Sequence, residues 1–240
     1  MKIGVIIQAR MGSTRLPGKV MKKIEQKTVL EYVISSLENS KFIQEIIIAT
    51  TKNKEDDIIE DKVKKLGKKI YRGSQDNVLE RYTFAARENK LDVVIRITSD
   101  CPLIDVNIVD SIISEFIDKK PDYISNTIKR TYPRGMDCEV FSINALERAY
   151  TDAESDSDKE HVTPYIYKNP DKFKISHYCA DEDKSKYRIT LDVEEDFEVI
   201  SFIIKEINNK SLDFSYESVI KIIEDSKIYT INQHVEQKNV

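Results

Sequence analysis

What most restricts the fold of this chain is a rhythm in its first half. Short, continuous apolar runs alternate with longer stretches in which apolar residues recur every three or four positions. KIGVIIQ (2–8), EIIIATT (45–51) and LDVVIRITSD (91–100) are rich in Ile and Val and read as buried strands, with KKIYRG (68–73) and DYISN (122–126) as shorter ones. Between them, TVLEYVISSLENS (28–40) places Val29, Leu30, Val33, Ile34 and Leu37 on one helical face. EDDIIEDKVKKLG (55–67) is a helix closed by Gly67, VLERYTFAARENK (78–90) another, and VNIVDSIISEFIDKK (106–120) a third, with Asp105 as its N-cap. Strands that are apolar throughout, each followed by a helix, predict a parallel sheet covered on both faces. Right-handed crossovers make it an α/β, doubly wound, Rossmann-like three-layer sandwich. From about 126 to 180 the rhythm breaks, which predicts an inserted arm for substrate or dimer contact. KYRITLD (186–192) is expected to resume the core as a strand and EEDFEVISFIIKEI (194–207) as a helix. A single domain over 1–240 carrying that arm is the expected organisation.

Charge and cysteines narrow the function classes. The net charge is −4, so an anion site must come from a local concentration of Arg and Lys, and nucleic acid is not an expected partner. Cys101, Cys138 and Cys179 form no C-x-x-C pair, and their odd count fits a reducing compartment. The first apolar run, Gly4 to Ile7, is too short for a signal peptide's core or a membrane span. A cytoplasmic protein with no membrane partner is expected.

Behind the first strand comes QARMGSTRLPGKV (8–20). It is close to the phosphate-binding pattern G-x-x-x-x-G-K-[ST] without being one: five residues separate Gly12 from Gly18, and Val20 follows Lys19. The chemistry is nevertheless that of an anion cradle. Arg10 and Arg15 carry planar forks suited to phosphate, Lys19 a mobile point charge, and Ser13 and Thr14 further donors. Gly12 and Gly18 allow the backbone close to a ligand. In doubly wound folds ligands sit outside the carboxyl ends of the strands, which is where this loop lies.

Two aspartates end strands on that same edge. Asp100 closes VVIRITSD and is placed for Mg²⁺, which takes one or two carboxylates together with water and phosphate oxygens. It reads equally as a turn residue before Cys101-Pro102. Asp192 closes KYRITLD; with Glu195 it also matches an N-cap and capping box. Together the two carboxylates face a cationic loop and suggest a site for a metal-bound nucleoside triphosphate. Asp196, one helical turn on, supports Asp192 or simply favours the helix start.

QARMGSTRLPGKVM, YRGSQDNVLERY, RITSDCPLID, YPRGMDCEVF, KEHVTPYIY and RITLDVEEDFEVI, in that order, resemble the SpsF-type spore coat polysaccharide biosynthesis proteins and, through them, the cytidylyltransferases acting on Kdo and acylneuraminate. The resemblance implies a nucleotidyltransferase with the A-type glycosyltransferase-like fold. It would couple CTP to a sugar acid with Mg²⁺, release pyrophosphate, and work as a homodimer. Carried over by position, Arg10, Ser13, Arg15 and Lys19 would hold the triphosphate. The backbone at Ala9, with Gly12, Thr98 and Arg72 to Ser74, would frame the nucleoside; Thr98 stands where Kdo enzymes carry glutamine. Asp100 and Asp192 would bind the metal, and Arg10 and Lys19 would join them in catalysis. Arg134, Asp137, Glu139 and His161 would meet the sugar. Three of these have a structural alternative: helix-start or interface packing for His161, the PRG turn for Arg134, an exposed strand position for Glu139. Arg81 and Tyr82 read as packing or a helix-surface ion pair. Two rival functions are a glycosyltransferase of similar fold, against which the lack of D-x-D near Asp100 counts, and a non-catalytic nucleotide-binding partner in a polysaccharide assembly complex.

Overall fold

The computed structural model describes residues 1–236. The elements run β1 Ile3–Gln8, β2 Lys23–Ile24, β3 Lys27–Thr28, α1 Val29–Leu37, β4 Glu45–Thr51, α2 Asp57–Lys65, β5 Lys69–Gly73 and α3 Val78–Glu88. They continue as β6 Val93–Thr98, α4 Val106–Lys119, β7 Tyr123–Ser125, β8 Glu139–Ser142, α5 Ile143–Asp152, α6 Asp156–His161 and α7 Pro164–Tyr167. β9 Ile175–His177, α8 Glu194–Asn209 and α9 Tyr216–Ser226 complete the series.

Seven strands form one sheet in the order β5-β4-β1-β6-β8-β7-β9, and β2 and β3 pair separately. The continuous apolar runs are explained by burial on both faces. Along β1, Val5 and Ile7 pack into one core while Ile6 packs into the other; along β6, Val93, Ile95 and Ile97 oppose Val94 in the same way. The first core lies against α1, α2, α4, α8 and α9, and the second against α3, α5 and α7. This is the three-layer α/β sandwich expected. The caps also hold: Gly67 has φ 66° directly after α2, and the Asp105 carboxylate accepts the Asn107 amide at 2.7 Å.

The sheet is mostly rather than wholly parallel. β5, β4, β1 and β6 run together, but β8 is antiparallel to both β6 and β7. An apolar run fixes which residues are buried, not the direction in which the strand enters, so this reversal was not expected. Residues 126–180 are also not set apart from the body: they supply β8 and β9 to the sheet and bury Phe141, Leu146 and Phe173. KYRITLD is a correction. It is no strand; only Arg188 bridges, with Arg134. Its amides at Ile189 and Leu191 instead donate to the Arg134 and Asp100 carbonyls at 2.7 and 2.9 Å, so the segment is stretched along the carboxyl edge of the sheet. Gly135 allows this approach. It sits at φ 108°, and a Cβ there would come within 2.5 Å of the Ile189 backbone.

Candidate active site

The loop after β1 is folded by its own backbone. The Met11 carbonyl accepts the amides of Ser13 and Gly18 at 2.8 and 2.9 Å, and the Met11 amide is held by the buried Asp56 carboxylate at 2.7 Å. Gly18 takes the left-handed conformation (φ 68°, ψ 14°) that starts a short 3₁₀ turn over Lys19–Met21. Leu16 and Val20 point into the core, leaving Arg10, Thr14 and Arg15 exposed. Gly18 therefore has a conformational reason to be glycine. Gly12 lies outside the residues that line the cavities described below.

The turn aims Lys19 across the sheet edge. Its ammonium donates to Asp100 Oδ2 at 2.7 Å, Asp192 Oδ1 at 2.7 Å and the Leu191 carbonyl at 2.6 Å. Burial by itself lowers the Lys19 pKa, but the two carboxylates outweigh it and the net shift is upward, so the group stays charged. Burial likewise raises the Asp192 carboxyl, and Lys19, Arg15 and Arg188 bring it below the usual carboxylate range. Arg15 approaches Asp192 Oδ2 at 3.1 Å and Arg188 at 2.9 Å. Asp192 does not cap α8, contrary to the capping-box alternative. The buried Asp196 carboxylate accepts the amides of Asp192 and Val193 at 2.9 and 3.2 Å, which leaves the Asp192 side chain to face the loop.

These groups fit a magnesium ion. Two carboxylates already gather around a cation, the Lys19 ammonium, and the donors are hard oxygens. Among the described residues no cluster of three or more Asp, Glu, His or Cys side chains is suited to hold a metal, so an ion here would draw the rest of its shell from water and phosphate oxygens.

Two cavities meet at this point. One, of about 280 Å³, runs under the loop and is lined by Ala9, Arg10, Ser13, Arg15, Lys19 and Arg81. The other, of about 460 Å³, is walled by residues of the 126–180 stretch, among them Arg130, Arg134, Asp137, Glu139 and Thr163. Thr98, Asp100, His161 and Asp192 line both. A cationic cradle and a second polar chamber joined across two carboxylates suit the transfer of a phosphorus-bearing group from one ligand to another.

Similarity to known proteins agrees with that geometry. The pattern defining the family described as "Cytidylyltransferase" matches residues 4–224. The chain belongs to the cytidylyltransferase family. It is 34% identical to the spore coat polysaccharide biosynthesis protein SpsF of Bacillus subtilis over 91% of this chain and 92% of that one. It is 36% identical to an uncharacterized protein of Methanocaldococcus jannaschii over 100% of this chain and 98% of the other. The solved structure of a cytidylyltransferase from Leptospira borgpetersenii superposes with a TM-score of 0.91 at 36% identity, each chain covered completely. No helix among the described residues is long and apolar enough to cross a membrane.

Within this member of the cytidylyltransferase family, the expected residues divide. Ala9, Arg10, Ser13, Arg15, Lys19, Thr98, Asp100 and Asp192 come together. Arg72 and Ser74 line neither cavity. The Arg72 guanidinium is taken up by the Thr51 and Asn53 carbonyls and by Asp57 and Glu60, because β5 points this side chain toward α2. Ser74 accepts the Asn77 amide at the entrance to α3. Arg81 is a cation at the smaller cavity that the sequence reading did not place there. It is 2% exposed, lines the smaller cavity, donates to the Ser74 carbonyl at 2.6 Å, and has a buried Nε with no partner. Its position was a usable signal: it shares the buried face of α3 with Val78, Tyr82 and Ala85, where an arginine has no packing reason to be. Of the two expected readings, packing or a helix-surface ion pair, its burial agrees with the first and rules out the second.

Arg134, Asp137, Glu139 and His161 all line the larger cavity. Asp137 is gripped by both Arg130 guanidinium nitrogens. Glu139 is not an exposed strand residue: it is buried against Arg96, Tyr123 Oη and Thr163 Oγ1. Arg134 is half-buried with no carboxylate bonded to it among the described residues, and burial lowers its pKa.

Proposed function

We propose that this protein transfers the cytidylyl group of CTP to a hydroxyl of a sugar acid, forming a CMP-sugar and pyrophosphate for surface polysaccharide synthesis. The observation that carries this reading is the Lys19 ammonium clasped by Asp100 and Asp192 at the junction of a cationic cavity and a second, separately walled one. Names of relatives point the same way. Besides SpsF, a 3-deoxy-manno-octulosonate cytidylyltransferase of Bdellovibrio bacteriovorus matches 49% of this chain at 29% identity. An acid as acceptor is supported by Arg134, a guanidinium lining the larger cavity with no carboxylate bonded to it among the described residues.

In this reading Arg10, Ser13 and Arg15 receive the β- and γ-phosphates, and Lys19 leaves the carboxylates to follow them. The acceptor hydroxyl enters from the larger cavity and its oxygen bonds to the α-phosphorus. The bond to the bridging oxygen breaks, pyrophosphate departs with the electron pair, and the hydroxyl proton passes to solvent. Arg15 and Lys19 neutralise the charge that builds on the leaving group. Mg²⁺, held by Asp100 and Asp192, would supply Lewis-acid stabilisation of phosphate charge. A homodimer through the 126–180 stretch belongs to this reading, and sedimentation of the purified protein would check it.

The test is pyrophosphate release from each of the four nucleoside triphosphates with Mg²⁺ against a panel of 3-deoxy and nonulosonic sugar acids. Release specific to CTP and to one acid is expected. Tight CTP binding without release across the whole panel would instead favour a non-catalytic nucleotide binder.

A further inference from the structure

The geometry points to Thr163 as a positioning residue that fixes His161 between the two cavities by holding a strained turn against the sheet. The inference rests on the transfer reading for its kinetic consequence, not for its structural one.

His161 ends α6 and lines both cavities. The next residue, Val162, is fully buried at φ 73° and ψ −53°, a conformation that β-branched residues avoid. The Thr163 amide donates back to the His161 carbonyl at 2.9 Å, closing the left-handed γ-turn, which is intrinsically strained. Such backbone persists only where its surroundings over-determine it. Here the over-determination comes from Thr163 Oγ1, buried and donating to Glu139 Oε1 at 2.6 Å. Glu139 is itself immobile: it sits on β8, takes Tyr123 Oη from β7 at 2.6 Å, and pairs with Arg96 of β6. Three strands therefore anchor one hydroxyl, and that hydroxyl anchors the turn presenting His161. Without it, Val162 is free to return to an ordinary conformation, and His161 leaves the junction.

Thr163→Val is the discriminating variant, because it keeps the shape and leaves Glu139 with Arg96 and Tyr123. The chain has three histidines, His161, His177 and His234, so their ring signals can be followed individually by NMR, with His161→Gln supplying the assignment. In Thr163→Val the His161 signal should move and broaden while the other two stay. Thr163→Ser, which retains the donor, should keep it in place. With an acceptor in hand, Thr163→Val should raise the acceptor KM about ten- to a hundredfold, as befits a lost bond to a charged group, with a much smaller change in the KM for CTP. That penalty should vanish in a His161→Gln background. An unmoved His161 signal in Thr163→Val, or an equal penalty with and without His161, would overturn the assignment. The NMR result needs no turnover. A shifted signal in a protein that releases no pyrophosphate would therefore refute the transfer reading and leave the turn's role standing.

Discussion

Lys19 is a part-buried and Arg81 a fully buried cation at the smaller cavity, and they differ in what answers their charge. Lys19 is matched by two carboxylates that more than offset its burial. Arg81 donates to the Ser74 carbonyl, and the attractions of Tyr82 and Asp56 do not offset its burial and the repulsion of Arg10, so its pKa is lowered. A paired buried charge is costly to remove from one side only, whereas a poorly paired one costs stability while it is kept. Lys19→Met should therefore cut turnover by about 10²- to 10⁴-fold, measured as pyrophosphate release under saturating CTP. Arg81→Met should melt no lower than the parent, while its CTP affinity falls about tenfold or more. A destabilised Arg81→Met with unchanged CTP binding would mean that the arginine serves packing alone.

At the scale of single elements, caps and close approaches decide where the functional side chains lie. α1 begins with a reciprocal cap: Glu31 accepts the amide and hydroxyl of Thr28, and it also pairs with Lys62 of α2. Burial raises the Glu31 carboxyl, but the bonds from Lys62 and Thr28 prevail and its pKa lies below the ordinary value of 4.5. A depressed folded-state pKa contributes stability that is complete above the unfolded value and is lost as pH falls through the folded one. Glu31→Gln should thus cost about 1 kcal/mol in denaturant unfolding at neutral pH, and parent and variant should converge as the pH drops below about 4.5. The first-half elements were legible because a strand buried on both faces and a helix buried on one leave different periods in the sequence. Residues 186–192 misled for the same reason. Tyr187, Ile189 and Leu191 alternate in the sequence with Arg188 and Thr190 as in a half-buried strand, although all five are buried, and periodicity does not say which carbonyls the amides will find. They find Arg134 and Asp100, past the end of the sheet. Gly135→Ala should push this segment away, because its φ is hostile to a side chain and its Cβ would strike the Ile189 backbone. A loss of at least about 1–3 kcal/mol in unfolding free energy, with turnover lost alongside, is the expected result.

Across the whole molecule, the site joins segments that are remote in sequence, and this is what sequence reading could only partly reach. The positions of the loop, Asp100 and Asp192 were legible because each lies at the carboxyl end of a recognisable apolar run. That Arg72 lies away from both cavities was not legible, because the composition of its stretch does not reveal which way β5 turns its side chain. The last contributor comes from the far end of the chain. Asn232 lies beyond the 4–224 stretch that matches the family, yet it is only 1% exposed. Its amide donates to the Arg188 carbonyl at 3.0 Å and to Asp196 Oδ1 at 2.9 Å. Arg188 in turn binds both Asp196 and Asp192, so the end of the chain buttresses the carboxylate that faces Lys19. Asn232→Ala removes two bonds from a buried network without relieving the groups that accepted them. It should cost about 1–3 kcal/mol in chemical denaturation, and turnover should fall with it because Asp192 loses its backing. Asn232→Asp should be worse than the alanine, since a carboxylate would then stand beside Asp196. Equal behaviour of the two variants, or a stability loss that leaves turnover at the parental level, would show that the end of the chain covers the core without supporting the site.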